Sequence, residues 1–390
     1  MSRLVYQTDR KEMDRRWALV LDTMKKEGIE ALVMASLERV FGGPAKYLTD
    51  INCPNYANFF LFCQDGFYAY AHGIASDKKS IDGVPLSEYV LSDKVLDVKH
   101  CATAPGFAFS EEWVAKDMVE DIKRHGFRKI GFCAMLTLPA AIYKYLTENL
   151  PGVEFVNFTD TIDRIRAIKS PYEIARIRQN SRIHDEMMEY ATSLVHIGKT
   201  EREIRIAIEK MSMEAYSAIA NVMVAFNAGP QWPEHANETI KEGGVVSIVI
   251  ECSTMGGLWS EIGRSFVIGE FTPTMEKTQK DGLYLEKWVA EHCKIGAIPE
   301  EVFKEGQKIA TEMGYFAEPR LWGHGHTYCL LERPVLAAGD TMPFAANMVF
   351  SIHPSIYGGE FFVNSNDFLL TENGMEMLTK FPNGYVIQNY

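Results

Sequence analysis

The chain has 390 residues, 47% of them hydrophobic and 24% charged, with a formal net charge of −12. That length accommodates two or three domains with ample cores, and the acidic balance speaks against a nucleic-acid-binding role. No apolar run reaches the ~18 residues of a membrane span, and the charged start MSRLVYQTDRKEMDRRW lacks the apolar stretch of a signal peptide. The seven cysteines are scattered and include no CxxC pair, so the expectation is a reduced, cytoplasmic chain without a disulfide framework or structural zinc.

In chain order, residues 10–28 predict an amphipathic helix stopping near Gly28, and IEALVMAS (29–36) a buried strand. NFFLFCQDGFYAYAHG (58–73) predicts a hairpin turning at Asp65-Gly66. SEEWVAKDMVEDIKRHG (110–126) predicts a helix with Ser110 as N-cap and Gly126 as its stop. KIGFCA (129–134) returns as a strand and LPAAIYKYLTENLPG (138–152) as a helix, an alternation that makes this first part an α/β domain. Beyond it, Ser170-Pro171-Tyr172-Glu173 and Thr200-Glu201-Arg202-Glu203 are capping boxes that open two long amphipathic helices separated at Gly198. Further helices are predicted around 274–296 and 299–313, followed by a β-rich stretch from 340 to 390. The boundary falls at residues 1–162 and 163–390.

Between the helices lies VVSIVIECSTMGGLWSEIGRSFVIG (245–269), two apolar strands joined by Met255-Gly256-Gly257. Its two carboxylates, Glu251 and Glu261, sum to twice 256, so a turn centred on Gly256 sets them directly opposite each other. Opposed side chains share a face with Cβ atoms about 4.5–5.5 Å apart, and like charges so placed repel. Such a pair persists when a cation neutralises it, when one member keeps a proton, or when both reach solvent. Histidines recur in similar settings: His235 in GPQWPEHANETI, His324 and His326 in LWGHGHTYCLLERP, and His353 in MVFSIHPSIYG. Each is also compatible with an ordinary structural histidine, and Glu261 with a simple pairing to Arg264.

The order of IRAIKSPYEIARIR, the two-acid hairpin with GRSF, GHG…ERP, MVFSIHP and LLTENG resembles the creatinase/aminopeptidase P/prolidase family of pita-bread hydrolases. The resemblance covers most of 160–390, and KYLTDINCPNYANFFLF (46–62) is similar to a strand region of the family's N-terminal domain. It implies an α+β protein: an N-terminal α/β domain of the creatinase type, then a pita-bread catalytic domain with a curved antiparallel sheet backed by helices. It also implies a homodimer in which one subunit's N-terminal domain lies near the other's active site. Peptidases of the family bind two divalent metals through Asp, Asp, His, Glu and Glu. On this chain those positions fall at Glu251, Glu261, His324, His353 and Ser365, and the second peptidase histidine at Leu331.

The loss of bridging carboxylates resembles the metal-free creatinase and ectoine hydrolase branch. The expectation is therefore a metal-independent, creatinase-like hydrolase of a non-peptide C–N bond in a small nitrogenous compound. In it, the carboxylate pair of Glu251 and Glu261 holds a cationic group, His235 moves the proton, and His324 and His353 orient the substrate. Tyr56, Arg264 and His326 complete the substrate contacts. One alternative is a mononuclear-metal hydrolase or lyase in which Glu251, Glu261, His324 and His353 bind zinc, manganese or iron. Another is a catalytically inactive relative kept as a binding protein.

Overall fold

A computed structural model describes residues 7–36, 42–51, 57–72, 80–81, 84–101, 107–110, 112–216, 219–229, 237–254, 257–316, 318, 320–356 and 360–388. The chain divides into two compact units, 1–166 and 167–390, against the 162/163 boundary read from the sequence.

The first unit runs α1 (Arg10–Glu27), β1 (Ala31–Ser36), α2 (Gly43–Thr49), β2 (Asn58–Cys63), β3 (Phe67–His72), the short pair β4 (Ser80–Ile81) and β5 (Val84–Pro85), and β6 (Val95–Cys101). It continues through α3 (Trp113–His125), β7 (Lys129–Phe132), α4 (Ala140–Asn149), β8 (Glu154–Asn157) and α5 (Thr159–Ala167). Its main sheet has six strands in the order β6-β3-β2-β1-β7-β8, with β1 antiparallel to β2 and parallel to β7. β2 is buried along its whole length because both faces are covered. Phe59 and Leu61 join Val114, Met118, Ile122, Ile142 and Leu146 of α3 and α4, whereas Phe62 on the other face meets Trp17 of α1 edge-on. Gly28 and Gly126 end their helices in the left-handed conformation, as read from the sequence. Ser110 does not cap α3: its hydroxyl donates to Phe107 O within a separate short turn, and Glu112 occupies the cap position.

The second unit opens with α6 (Pro171–Leu194) and α7 (Glu201–Tyr216), then β9 (Ile219–Phe226), β10 (Gly244–Thr254), β11 (Leu258–Ile268), α8 (Pro273–His292) and α9 (Pro299–Glu312). It ends with β12 (Gly323–Gly325), β13 (Glu332–Val335), β14 (Val349–Ile352), β15 (Asn366–Thr371), β16 (Gly374–Met377) and β17 (Tyr385–Gln388). Both capping boxes form, with Ser170 and Glu173, and Thr200 and Glu203, exchanging side chain to backbone bonds. One sheet is ordered β17-β11-β10-β9, the other β13-β12-β14-β15-β16. All pairings are antiparallel except that of β17 with β11. Apolar side chains of α6 and α7 cover the first sheet, and those of α8 and α9 the second.

The two sheets meet at a bridge between Gly263 and Ser365. A side chain at 263 would collide with Val363 and Ser365, so glycine is what lets the backbones close there. The architecture is the expected α+β one, an α/β domain followed by curved sheets backed by helices. The junction of the sheets gathers the polar residues described next.

Candidate functional site

The β10–β11 ladder places Glu251 directly opposite Glu261, the register the turn arithmetic predicts. Asn221 on β9 lies opposite Glu251 on its other side, giving a row of three polar residues across three strands. From the second sheet come His324 on β12 and His353, which follows β14. β12 lies between β13 and β14 so closely that a side chain at Gly323 or Gly325 would strike the carbonyl oxygen of Ser351 or Arg333. The Gly-His-Gly pattern thus has a steric cause, and only His324 can project from this strand.

Glu261, His324 and His353 each offer a donor atom, all within 4.8 Å of one another, forming the three-residue cluster of metal-binding type among the described residues. Glu261 and His324 are buried and His353 half-buried. Ser365 Oγ donates to Glu261 Oε1 at 2.6 Å, which leaves Oε2 without a hydrogen-bond partner among the described residues. Gly325 O lies 3.1 Å from His324 Nδ1 and accepts its proton, so Nε2 is the nitrogen that faces Glu261 Oε2, at 3.4 Å. His353 Nε2 is also buried and unpartnered. Burial opposes ionisation of Glu261, yet His353 and His324 outweigh it and hold the carboxyl well below the usual carboxylate range. Burial keeps the His353 imidazole below its ordinary value, and burial together with Glu261 pushes Glu251 up. A carboxylate oxygen and two imidazole nitrogens converging within 4.8 Å are a donor set for a cation once the imidazoles are neutral.

The other predicted site residues fall elsewhere. Glu251 turns to Asn221, whose Nδ2 donates to Oε2 at 2.5 Å, and stands outside the three-residue cluster. The substrate-binding roles read for Arg264 and His326 are corrected by their hydrogen bonds. Arg264 is fully buried and spends all five N–H groups on Pro382 O, Gly263 O, Ser365 O, Phe381 O and Asn366 Oδ1, at 2.7–2.9 Å. His326 is fully buried with both ring nitrogens engaged, one by Trp259 O and the other by Asp367. His235 and Tyr56 lie outside the described residues. Sequence reasoning passed over Asn221 and Asp367. Their signal was a polar residue inside a strand, isolated among apolar neighbours in IANVMVAF and closing a polar run before FLL in VNSNDFLL.

A creatinase-type α/β domain ahead of a pita-bread domain defines a two-domain hydrolase fold, and its second domain carries a Glu/His cluster that could hold a cation. The chain belongs to metallopeptidase family M24, whose model matches residues 175–375, and the Creatinase/Prolidase N-terminal domain model matches 16–168. It is 26% identical over 244 residues to the probable dipeptidase PepE of Mycobacterium tuberculosis, covering 60% of this chain and 64% of that one. With the Xaa-Pro dipeptidase of Pyrococcus furiosus it shares 28% over 260 residues, 63% of this chain and 72% of that one. The chain thus spans about 64% of the length of the mycobacterial relatives it matches. The crystal structure of dipeptidase PepE from Mycobacterium ulcerans superposes with a TM-score of 0.78 at 21% identity, covering 98% of this chain and 99% of that one.

These findings overturn two expectations. The creatinase-like, non-peptide C–N hydrolase gives way, because the named relatives are dipeptidases of a metallopeptidase family. The expectation of no cofactor gives way with it, because Glu261 and His353, which replace family ligands, group with the retained His324 as a Glu/His/His donor set. No helix among the described residues is long and apolar enough to cross a membrane.

Proposed function

We propose that the chain is a single-ion metallohydrolase acting on the peptide bond of short peptides. The observation that carries this reading is the convergence of donor atoms of Glu261, His324 and His353 within 4.8 Å, with Glu261 Oε2 and His353 Nε2 buried and without hydrogen-bond partners among the described residues and Glu261 Oε2 3.4 Å from His324 Nε2. Three protein ligands with a position left open is the arrangement of a catalytic rather than a structural zinc site. The two carboxylates that would bridge a second ion are replaced at His353 and Ser365, so the donor set fits one ion. The relatives' names supply the peptide bond as the target.

A divalent cation there would supply Lewis acidity toward the scissile carbonyl. The chain's own residues prepare for it. Ser365 occupies Glu261 Oε1 and so leaves Oε2 as the ligand atom, and Gly325 O holds His324 Nδ1 so that Nε2 is the nitrogen turned toward Glu261. Glu251, held by Asn221 on the same face and pushed up by burial and by Glu261, keeps its proton closer to neutral pH. It is the group suited to pass a proton to the leaving amine and take one back.

The test is elemental analysis of the purified chain together with turnover of a dipeptide panel. The expected result is close to one zinc, manganese or iron per chain, with hydrolysis lost on chelation and restored by the ion. Two ions per chain, or turnover indifferent to chelation, would overturn the reading.

A further inference from the structure

We propose that His326 and Asp367 are positioning residues for the cluster: a buried ion pair that ties the strand bearing Glu261 to the sheet bearing His324. This inference rests on the single-ion reading above. His326 lies two residues beyond His324, and its Nε2 is 2.7 Å from Asp367 Oδ1 while Nδ1 is 3.1 Å from Trp259 O. Trp259 O is a carbonyl and accepts only. A neutral imidazole has a single N–H, so with Asp367 ionised both contacts are met by an imidazolium that donates twice. Asp367 Oδ2 in turn accepts from Ser260 Oγ at 2.6 Å and Ser181 Oγ at 3.2 Å. Trp259 N donates to Thr327 O at 2.8 Å.

The consequence is a knot immediately before Glu261. Residues 259 and 260 of β11 are bound to residues 326 and 327 beyond β12 and to Asp367 of β15. Side chains alternate along a strand, so Ser260 points to the face opposite Glu261, and the pair acts from behind the cluster. Glu261 and His324 sit on different sheets, and the 3.4 Å between their donor atoms depends on how those sheets are registered. Burying two charges is expensive, and apolar pairs of similar volume are often as stable or more so. Both residues are fully buried. A pair that adds little stability but fixes direction and register suits a ligand site, which tolerates displacements of only about 0.5 Å.

The experiment is a zinc titration of the full chain against a chromophoric chelator, with thermal melts of the metal-free protein. The variants are the double substitution His326→Leu/Asp367→Leu and the single substitution His326→Gln, which keeps one of the two donated bonds. Wild type is expected to take one zinc. The double variant is expected to stay folded, with a metal-free melting temperature within about 5 °C of wild type, while its zinc Kd weakens about 10–100-fold. An unchanged Kd, within about twofold, in the folded double variant would overturn the proposal. If the double variant does not fold, His326→Gln decides: a tenfold weaker Kd is expected, and an unchanged one overturns the proposal. A wild-type chain that takes no zinc, manganese or iron removes the single-ion reading and this inference together. Wild type binding one ion with variants equally tight removes only the inference.

Discussion

Two buried histidine–carboxylate arrangements stand two residues apart on this chain and differ in whether their valences are met. In one, His326 and Asp367 lie 2.7 Å apart, and the remaining ring nitrogen and carboxylate oxygen have partners in Trp259, Ser260 and Ser181. In the other, His324 and Glu261 face each other at 3.4 Å, and Glu261 Oε2 and His353 Nε2 have no hydrogen-bond partner among the described residues. Residue type and burial are alike, so neither distinguishes a binding site from a brace. A buried polar atom left unmet costs about 1–3 kcal/mol, and a fold keeps several together where something else completes them. The difference separates ligand from scaffold, and each side of it can be attacked.

The largest effect should come from the unmet side. Glu261→Gln keeps the shape and the bond from Ser365, but puts an amide N–H in place of the acceptor oxygen that faces His324 Nε2. Zinc affinity should fall at least about 100-fold while the metal-free melting temperature changes little, because removing a buried charge offsets the loss of its attraction to the histidines. Isothermal titration and melts of the metal-free chain measure the two quantities. A melting temperature that falls with affinity would place Glu261 among the braces.

Arg264 is the extreme of the met side. Its five donors close on four backbone carbonyls and one amide oxygen where the two sheets join. Arg264→Leu strands those buried acceptors, and urea unfolding should show a loss of at least about 3 kcal/mol. A loss under about 1 kcal/mol would return Arg264 to the substrate-binding role that the sequence suggested.

Glu286 of α8 tests whether a met group can still carry a charge penalty. It accepts from Asn364 Nδ2 at 2.8 Å and Asn366 Nδ2 at 2.6 Å, and burial pushes it from the ordinary 4.5 up to about 7. The folded state therefore binds this proton more tightly than the unfolded chain. The stability it contributes is full below about pH 4.5 and is lost as pH rises through about 7, on the order of 3 kcal/mol. Glu286→Gln should remove that slope, so its stability relative to wild type should grow between pH 5 and pH 8 in urea unfolding. A difference flat with pH would show Glu286 ionised throughout, held by nearby Arg264.

The sequence carried the helices and strands well where local chemistry sets them. The capping boxes at Ser170 and Thr200 form, and the hairpin register that opposes Glu251 and Glu261 follows from the position of its turn. Ser110 misled because a short turn precedes α3 and takes its hydroxyl, a choice between two local bonds that residue type alone does not decide. The site was legible as a set of residues but not as a partition among them. His324 and His326 share a glycine-rich motif, and which one keeps a free nitrogen depends on Asp367, 41 residues from His326. Arg264 looked available beside Glu261, yet its acceptors are supplied by the distant 363–383 stretch. The reading of a metal-free site took each lost ligand singly. The single-metal alternative grouped them, and the structure brings His353 to the retained His324, with ring centroids 5.3 Å apart.

The smallest effect lies on the line between the two sides, and that line runs through Glu261 itself. Oε1 is met by Ser365 Oγ at 2.6 Å and Oε2 is not met. Ser365→Ala removes one hydroxyl donated to a charged acceptor, which should cost about 1–2 kcal/mol of metal-free stability. If Ser365 only steadies a carboxylate that β11 already places, zinc Kd should weaken by less than about fivefold, because the ligand oxygen is the other one. A loss of about 100-fold would mean that the hydroxyl selects which oxygen faces the histidines. The residue standing where the family's second glutamate would lie would then have changed from a ligand into the group that orients one.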